Sequence, residues 1–239
     1  MRALAIVHQP DAGPGVFTGT LQRAGWALDQ WSITAGEPPP ADPREYDAVI
    51  ALGAAAHVDE DHPWLAQERA LLAELLGSGA PLLGVCLGAE LLAQAAGGAA
   101  RRAERPEIGW HRVSVRPAGV SDPLLGPLAD GFDAFSWHSY ECRPPLGAML
   151  LADSPDCLQA FRLQETAWGI QFHAEVTAAD AAAWIRDYAA DPDAVRAGVD
   201  PRRLLAETEP RIERWNDLGA ELCRRFAAEA ARLSARRSR

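Results

Sequence analysis

The sequence contains no lysine, and all 23 of its basic side chains are arginines. A phosphate-binding P-loop and a pyridoxal-phosphate enzyme each depend on a lysine side chain. The composition therefore excludes an ATP-activating P-loop and a lysine Schiff base. The formal net charge of −10 over 239 residues also argues against binding to nucleic acid, which needs clustered positive charge.

Long apolar runs and paired cysteines are also missing. No run approaches the length of a membrane-spanning helix, and the apolar start at residues 1–7 is too short for a signal peptide. The four cysteines, Cys86, Cys142, Cys157 and Cys223, show neither zinc-site nor disulfide spacing. These absences predict a cytoplasmic protein with no membrane association, no metal and no cofactor.

One cysteine lies in a motif. Cys86 stands between an apolar segment, residues 81–85, and a helical pattern, residues 87–96, with Gly84 and Gly88 on either side. Gly-x-Cys-x-Gly is typical of a nucleophile elbow, a sharp strand-to-helix turn that leaves no room for flanking side chains. Such a turn exposes the sulfur to the first N–H groups and the positive end of the helix. A buried structural cysteine is the alternative.

A second motif follows downstream. Residues 168–172 are a predicted strand that ends at His173, and Glu175 comes two residues later. Side chains at i and i+2 point the same way on an extended chain, so Glu175 can orient the His173 ring. The other ring nitrogen is then free to act as a base for Cys86, which completes a triad. The alternative is a strand-end histidine beside a solvated glutamate.

Strand-like and helical segments alternate along the first part of the chain. This order predicts an α/β fold, a mostly parallel twisted sheet flanked by helices. Ligands bind beyond the carboxyl ends of such strands, where Gly53, Cys86 and His173 would converge. Four short strands are predicted as an antiparallel extension of the sheet, at residues 110–116, 134–136, 148–152 and 159–162.

From residue 178 onward the pattern is helical, at residues 178–190, 201–207 and 210–232. We predict an α/β domain at residues 1–190 and a helical C-terminal extension at residues 191–239 that packs on it. The last helix carries an apolar stripe that must be covered by the domain, by a second copy or by an acceptor enzyme. Residues 234–239 are expected to be disordered.

Taken together, the two motifs resemble those of the triad-type class I glutamine amidotransferases. The resemblance covers about residues 1–185 and includes Pro-Trp-Leu at 63–65 and Trp-His-Ser at 137–139. These two segments are similar to stand-alone members related to the glutaminase domain of GMP synthase. The resemblance implies a flavodoxin-like fold and a triad of Cys86, His173 and Glu175.

The resemblance also implies an activity, the release of ammonia from glutamine through a γ-glutamyl thioester on Cys86. It places the oxyanion beside the N–H groups of Leu87 and Ala54. It implies substrate contacts from a further set of residues, the last three in a loop that closes on glutamine: Gly53, Gly88, Glu90, Trp137, Ser139 and Tyr140.

Two departures from the family pattern affect the substrate. Ala54 stands in a Gly-Ala-Ala-Ala segment where the family has Gly-Gly-Pro, and alanine resists positive φ, so we expect an altered oxyanion hole. Glu90 replaces the usual glutamine; it would attract an α-ammonium and repel an α-carboxylate, unless it is a solvated surface glutamate. His57, His62 and His111 are predicted to be surface or structural residues, and His8 is given no role.

Three hypotheses follow. The first is a glutaminase that supplies ammonia to a separate synthetase. The second is a γ-glutamyl peptidase or hydrolase that acts on a conjugate, and the third is a catalytically silent binding protein. The expected ligand is glutamine or a small γ-glutamyl molecule, and the expected protein partners are a synthetase or a second copy of the chain.

Overall fold

Nine strands form one sheet in the computed structural model, which describes residues 1–237. The strands are β1 (Arg2–Val7), β2 (Ala27–Ser32), β3 (Ala48–Ala51), β4 (Leu82–Val85), β5 (Ala99–Val115), β6 (Phe132–Arg143), β7 (Met149–Asp153), β8 (Leu158–Leu163) and β9 (Ala167–Ile170). The α-helices of the described part are α1 (Gly15–Arg23), α2 (Pro63–Gly77), α3 (Leu87–Ala95), α4 (Pro117–Val120), α5 (Ala178–Arg186), α6 (Pro192–Arg196), α7 (Pro201–Thr208) and α8 (Ile212–Arg237).

The sheet has a parallel half and an antiparallel half. Its order is β2-β1-β3-β4-β9-β8-β7-β5-β6, and the first five strands run parallel to one another. The pairs from β9 to β6 are antiparallel. The predicted α/β fold and its antiparallel extension are confirmed. Because β3, β4 and β9 are adjacent and parallel, the segments that follow them meet at one edge.

The antiparallel strands are longer than predicted. β5 starts at Ala99 and β6 continues to Arg143, so the two form a long hairpin with a register shift between Arg102 and Glu107. Polar residues and Pro106 hid the first part of β5 from the sequence pattern. Trp137, Ser139 and Tyr140 were predicted in a loop, which is wrong, since all three lie in β6. Trp137 and Tyr140 pair there with residues of the long β5.

The two faces of the sheet carry separate apolar clusters because strand side chains alternate. In β1, Ala3 and Ala5 face a cluster shared with α1, α5 and α8, whereas Leu4 and Ile6 face one shared with α2 and α3. None of the helices within residues 1–237 has the length and hydropathy to span a membrane.

Helix α8 contributes its apolar stripe to the first of these clusters. Six residues carry it: Ile212, Trp215, Leu218, Leu222, Cys223 and Phe226. The chain itself thus covers the stripe, so the alternatives of a dimer seam or an acceptor docking face at this position are wrong. The division of the chain at residue 190 stays a prediction.

The helical region differs from its prediction in three places. The helix expected at residues 178–190 ends at Arg186 and is followed by a 3-10 turn at Tyr188–Ala190. Helix α6 was not predicted, although Asp191 caps it by accepting from the N–H groups of Asp193 and Ala194. Disorder was expected at residues 234–239, but residues 234–237 continue α8, and residues 238–239 lie outside the described part.

Candidate active site

Cys86 occupies a sharp turn between β4 and α3, with φ 52° and ψ −113°. Its N–H donates to the carbonyl oxygen of Ile170 at 2.8 Å, which ties the turn to β9. A Cβ atom on Gly84 would lie 2.6 Å from the carbonyl oxygen of Gly88, and one on Gly88 would overlap the carbonyl of Ala51. Both glycines are therefore required by the close approach of helix and sheet.

His173 follows β9 and is held by its backbone and by its ring. The N–H donates to the carbonyl oxygen of Phe135 at 2.9 Å, and the carbonyl accepts from the Trp215 indole of α8 at 2.9 Å. Nδ1 lies 2.7 Å from Oε1 of Glu175. The ring adjoins Cys86, since a Cβ atom added to Gly53 would lie 2.9 Å from Cε1 of His173 and 3.3 Å from Cβ of Cys86. Both side chains of the His173–Glu175 pair are buried, so the ring has one orientation.

The loop after His173 is also fastened to α8. The Asn216 side chain donates to the carbonyl oxygen of Val176 at 2.6 Å. Gly219 lies so close to the carbonyl of Ala174 that a Cβ atom would overlap it. Helix α8 thus supports the backbone of residues 173–176 from behind.

The electrostatics of the site couple the thiol to the imidazole. Burial raises the pKa of the Cys86 thiol, and the charge of His173 opposes that rise. Burial lowers the pKa of His173, but the charges of Glu175 and Cys86 outweigh it and raise the pKa to about 10. When the thiol ionises, its proton therefore stays on His173, which gives a thiolate beside an imidazolium.

Two residues beside Cys86 carry the N–H groups predicted to bind the oxyanion. Leu87 is the first residue of α3 and follows Cys86 directly. Ala54 follows Gly53, and a Cβ atom added to Gly53 would lie 2.9 Å from Cε1 of His173. Within residues 1–237 neither N–H has a hydrogen-bond acceptor. Ala54 shows no positive φ, so alanine presents its N–H here without backbone strain.

Glu90 lies on α3 and lines the cleft with only 3% of its surface exposed, so the alternative of a solvated glutamate is wrong. Oε1 accepts from the Gln171 amide at 3.0 Å, and the Gln171 oxygen accepts from the thiol of Cys142 at 3.1 Å. Burial raises the pKa of Glu90 to about 7 against the effect of the Gln171 hydrogen bond. The carboxyl group therefore changes charge near neutral pH.

These residues surround one cleft of about 570 Å³. The predicted site residues that line it are Gly53, Ala54, Cys86, Leu87, Glu90, Trp137, Ser139, Tyr140 and His173. Glu175 lies behind His173. Gly88 does not line the cleft: it packs beneath the elbow, where its N–H donates to the carbonyl oxygen of Leu52 at 3.2 Å. Its predicted substrate contact is replaced by a packing role.

Several cleft residues were missed. His57, predicted to be a surface or structural residue, lines the cleft and stacks on the Tyr140 ring with centroids 4.7 Å apart. The Tyr140 hydroxyl donates to Asp59 at 2.7 Å. Trp184 of α5 meets the His173 ring edge-on, with centroids 4.9 Å apart. These side chains come from separate segments without a local motif. No pattern in the sequence brings them to Cys86.

A buried group at the β5–β6 hairpin offers metal-ligand atoms within 4.8 Å of one another, from Glu107, His138 and Cys157. Oε2 of Glu107 already accepts from His138 at 3.1 Å, from Cys157 at 3.3 Å and from Gln159 at 2.6 Å. Burial would raise the pKa of Glu107, but His138 outweighs it and lowers the pKa to about 2. These donors occupy Oε2, whereas Oε1 is buried without a hydrogen-bond partner among the described residues, and we assign no metal to the group.

The family model of class-I glutamine amidotransferases matches residues 27–189. The chain therefore belongs to this family.

The names of individual relatives describe different activities. The γ-glutamyl-L-1-hydroxyisopropylamide hydrolase of a Pseudomonas species is 30% identical over 167 residues, which cover 63% of this chain and 57% of that protein. One component of the glutamine-hydrolysing GMP synthase of Saccharolobus solfataricus is 32% identical over 136 residues, 56% of this chain and 69% of that one. The chain spans little more than half the length of the Pseudomonas protein.

A crystal structure of a glutamine amidotransferase from Thermotoga maritima superimposes with a TM-score of 0.84 at 29% identity. The superposition covers 95% of this chain and 97% of that one. The likeness therefore includes the helices after residue 190.

Proposed function

We propose that the chain is a cysteine-dependent hydrolase of γ-glutamyl amides, with glutamine as the simplest substrate. Cys86 is the nucleophile, His173 the general base and acid, and Glu175 the residue that orients His173. The observation that carries this proposal is the position of the His173 ring, which is hydrogen-bonded to Glu175 on one side and adjoins Cys86 beside Gly53.

The mechanism follows from this arrangement. The Cys86 thiolate attacks the γ-amide carbon, and the C=O electron pair moves to oxygen, where the N–H groups of Ala54 and Leu87 stabilise it. The tetrahedral intermediate collapses, the C–N bond breaks, and the His173 imidazolium protonates the leaving nitrogen. Water, deprotonated by His173, then attacks the γ-glutamyl thioester. The second tetrahedral intermediate collapses, and the C–S bond breaks with its electron pair moving to sulfur. Glutamate leaves, and the Cys86 thiolate and His173 imidazolium are restored.

Glu90 is proposed to recognise the substrate through its α-ammonium group. It lies one helical turn after Cys86 and faces the same cleft, so its carboxylate can receive the end of the molecule remote from the γ-amide. Trp137, Ser139 and Tyr140 of β6 form the adjoining wall. A carboxylate in place of an amide disfavours the α-carboxylate of free glutamine.

A second candidate is a hydrolase of γ-glutamyl amides that carry a substituent on nitrogen. Since His173 must protonate the leaving nitrogen, a substituent would extend toward Trp184, which lies against His173. Trp137 continues this aromatic wall, with its ring centroid 6.1 Å from that of Trp184. The name of the Pseudomonas relative describes such an amide.

A separate synthetase remains the proposed partner for the glutaminase alternative, on the analogy of the GMP synthase component. A cytoplasmic location is a further proposal, supported by four cysteines that are free and buried. The two-part division at residue 190 is supported by the end of the family match at residue 189.

Measurement of ammonia release from glutamine by wild type and Cys86→Ala tests the proposed function. We expect the variant to lose all turnover. Cys223→Ala is the matched control, since Cys223 is a buried cysteine in the apolar stripe of α8. Equal activity in wild type and Cys86→Ala would overturn the proposed function.

A further inference from the structure

His8 and Glu68 form a buried pair outside the triad. Nε2 of His8 lies 2.6 Å from Oε2 of Glu68, with side chains 1% and 0% exposed. Nδ1 of His8 lies 3.3 Å from the carbonyl oxygen of Gly53. His8 follows β1 and Glu68 belongs to α2, so two elements remote in sequence meet behind the segment that holds Ala54.

The acceptor atoms in the contacts of His8 with Gly53 and Glu68 determine where the hydrogens lie. A carbonyl oxygen only accepts, so Nδ1 of His8 carries a hydrogen and donates it to Gly53. Nε2 and the Glu68 oxygen must then share a second proton, whichever of the two atoms holds it. The ring is thus locked at both nitrogens, and Trp64 packs against it with centroids 5.0 Å apart.

The hydrogen bond to Gly53 acts on Ala54 through one peptide group. The Gly53 carbonyl and the Ala54 N–H belong to the same planar unit, so fixing the oxygen also fixes the direction of the N–H. The next N–H along the chain, that of Ala55, donates to Gln9 at 2.8 Å. Residues 8 and 9 therefore hold the segment on both sides of the Ala54 N–H.

We propose that His8 and Glu68 are positioning residues that aim the Ala54 N–H at the oxyanion of the proposed reaction. The hydrogen bond that His8 donates to the Gly53 carbonyl also polarises the peptide group. This polarisation strengthens the Ala54 N–H as a hydrogen-bond donor. This inference rests on the proposed hydrolase function. It requires His8 and Glu68 to stabilise the transition state and to contribute little to substrate binding.

The test compares His8→Leu and Glu68→Gln with wild type on glutamine, or on the γ-glutamyl amide that wild type hydrolyses best. We expect His8→Leu to lower kcat about 10- to 100-fold, since loss of a whole oxyanion donor costs about 10²- to 10³-fold. Glu68→Gln retains a hydrogen bond without charge, and we expect a loss of about 3- to 10-fold. KM should stay within about twofold in both.

Inhibition by glutamate γ-semialdehyde separates positioning from a structural defect. Cys86 adds to the aldehyde carbon, and the aldehyde oxygen takes the place of the oxyanion. The inhibition constant should rise by the same factor as kcat falls. Titration of Cys86 with a diazo-ketone glutamine analogue corrects each rate for the active fraction. His62→Gln is the matched control, because exposed His62 stacks on Trp64 and should change neither value.

Wild-type kcat in both variants, or a raised KM with unchanged kcat and aldehyde affinity, would overturn the inference. If His8→Leu does not fold, Glu68→Gln decides alone. A parallel loss of kcat and aldehyde affinity in Glu68→Gln would support the inference, and unchanged values would overturn it. Activity that survives Cys86→Ala would instead refute the proposed function.

Discussion

Replacement of Glu175 by glutamine tests the proposed triad without emptying the site. Oε1 lies 2.7 Å from Nδ1 of His173, with side chains 3% and 4% exposed. A glutamine of the same volume can turn its NH₂ group toward the ring, so that Nδ1 becomes the acceptor. The ring proton then sits on Nε2, the atom needed to receive the proton of Cys86.

The size of the expected loss in turnover follows from the opposing effects on the pKa of His173. Burial lowers its pKa, and the charges of Glu175 and Cys86 raise it to about 10. Without the carboxylate, burial opposes protonation, and both the thiolate and the proton for the leaving nitrogen become scarce. The corresponding change in a serine-protease triad lowers turnover about 10⁴-fold. We expect a loss in kcat of about 10³- to 10⁴-fold, or about 4 to 5.5 kcal/mol.

The assay is ammonia release at saturating substrate, with the active fraction of each preparation measured by diazo-ketone titration. Glu213→Gln is the control for the chemistry of the substitution, because Glu213 is exposed on α8. The melting temperature of Glu175→Gln should remain close to that of wild type. Turnover within about tenfold of wild type would show that another group orients His173, and the proposed role of Glu175 would be refuted.

Three further substitutions test the cleft. Because the pKa of Glu90 is raised to about 7, the charge that attracts an α-ammonium and repels an α-carboxylate should grow as pH rises through 7. Glu90→Gln removes that charge, so KM for glutamine should lose its pH dependence near 7 and fall, because the α-carboxylate is no longer repelled; an unchanged KM would refute the contact. The raised pKa also means that stability falls as pH rises from about 4.5 through 7, so Glu90→Gln should raise the free energy of unfolding at pH 8 by up to about 3 kcal/mol; an unchanged urea midpoint would contradict this. Gly53→Ala should lower kcat about 100-fold because the new Cβ meets the His173 ring, whereas Gly13→Ala, with open space around it, should not; equal rates would refute the packing argument. Trp184→Ala should lower kcat/KM for the γ-glutamyl amide of n-butylamine more than for glutamine, and an equal loss on both would rule out Trp184 as the wall for the leaving amine.

The parts of the site that local patterns encode could be predicted from the sequence. The Gly-x-Cys-x-Gly motif predicts the elbow because the steric requirement lies within five residues, and the i, i+2 spacing of His173 and Glu175 predicts their contact. The α/β fold follows from the alternation of strands and helices. Each of these inferences needs only short-range geometry.

Features that depend on distant pairing were predicted poorly. Trp137 and Tyr140 lie in a strand only because β5 extends back to Ala99, and the polar sequence of that stretch does not indicate a strand. The hydrogen bonds of His8 join residues 45 and 60 positions apart, and nothing near His8 in the sequence indicates them. Burial of Glu90 likewise depends on Gln171, 81 residues away.

The bond from the Trp215 indole to the His173 carbonyl links residues 42 positions apart, and the contact of Asn216 with Val176 spans 40. A ribosome exposes His173 well before it exposes α8. Until α8 has left the ribosome and packed against the sheet, residues 173–176, which carry the general base, lack the hydrogen bonds from Trp215 and Asn216. The nascent protein should therefore hold a folded elbow whose cysteine lacks its positioned base, and it should show no turnover. Activity would appear as a late step of synthesis, timed by the arrival of this helix.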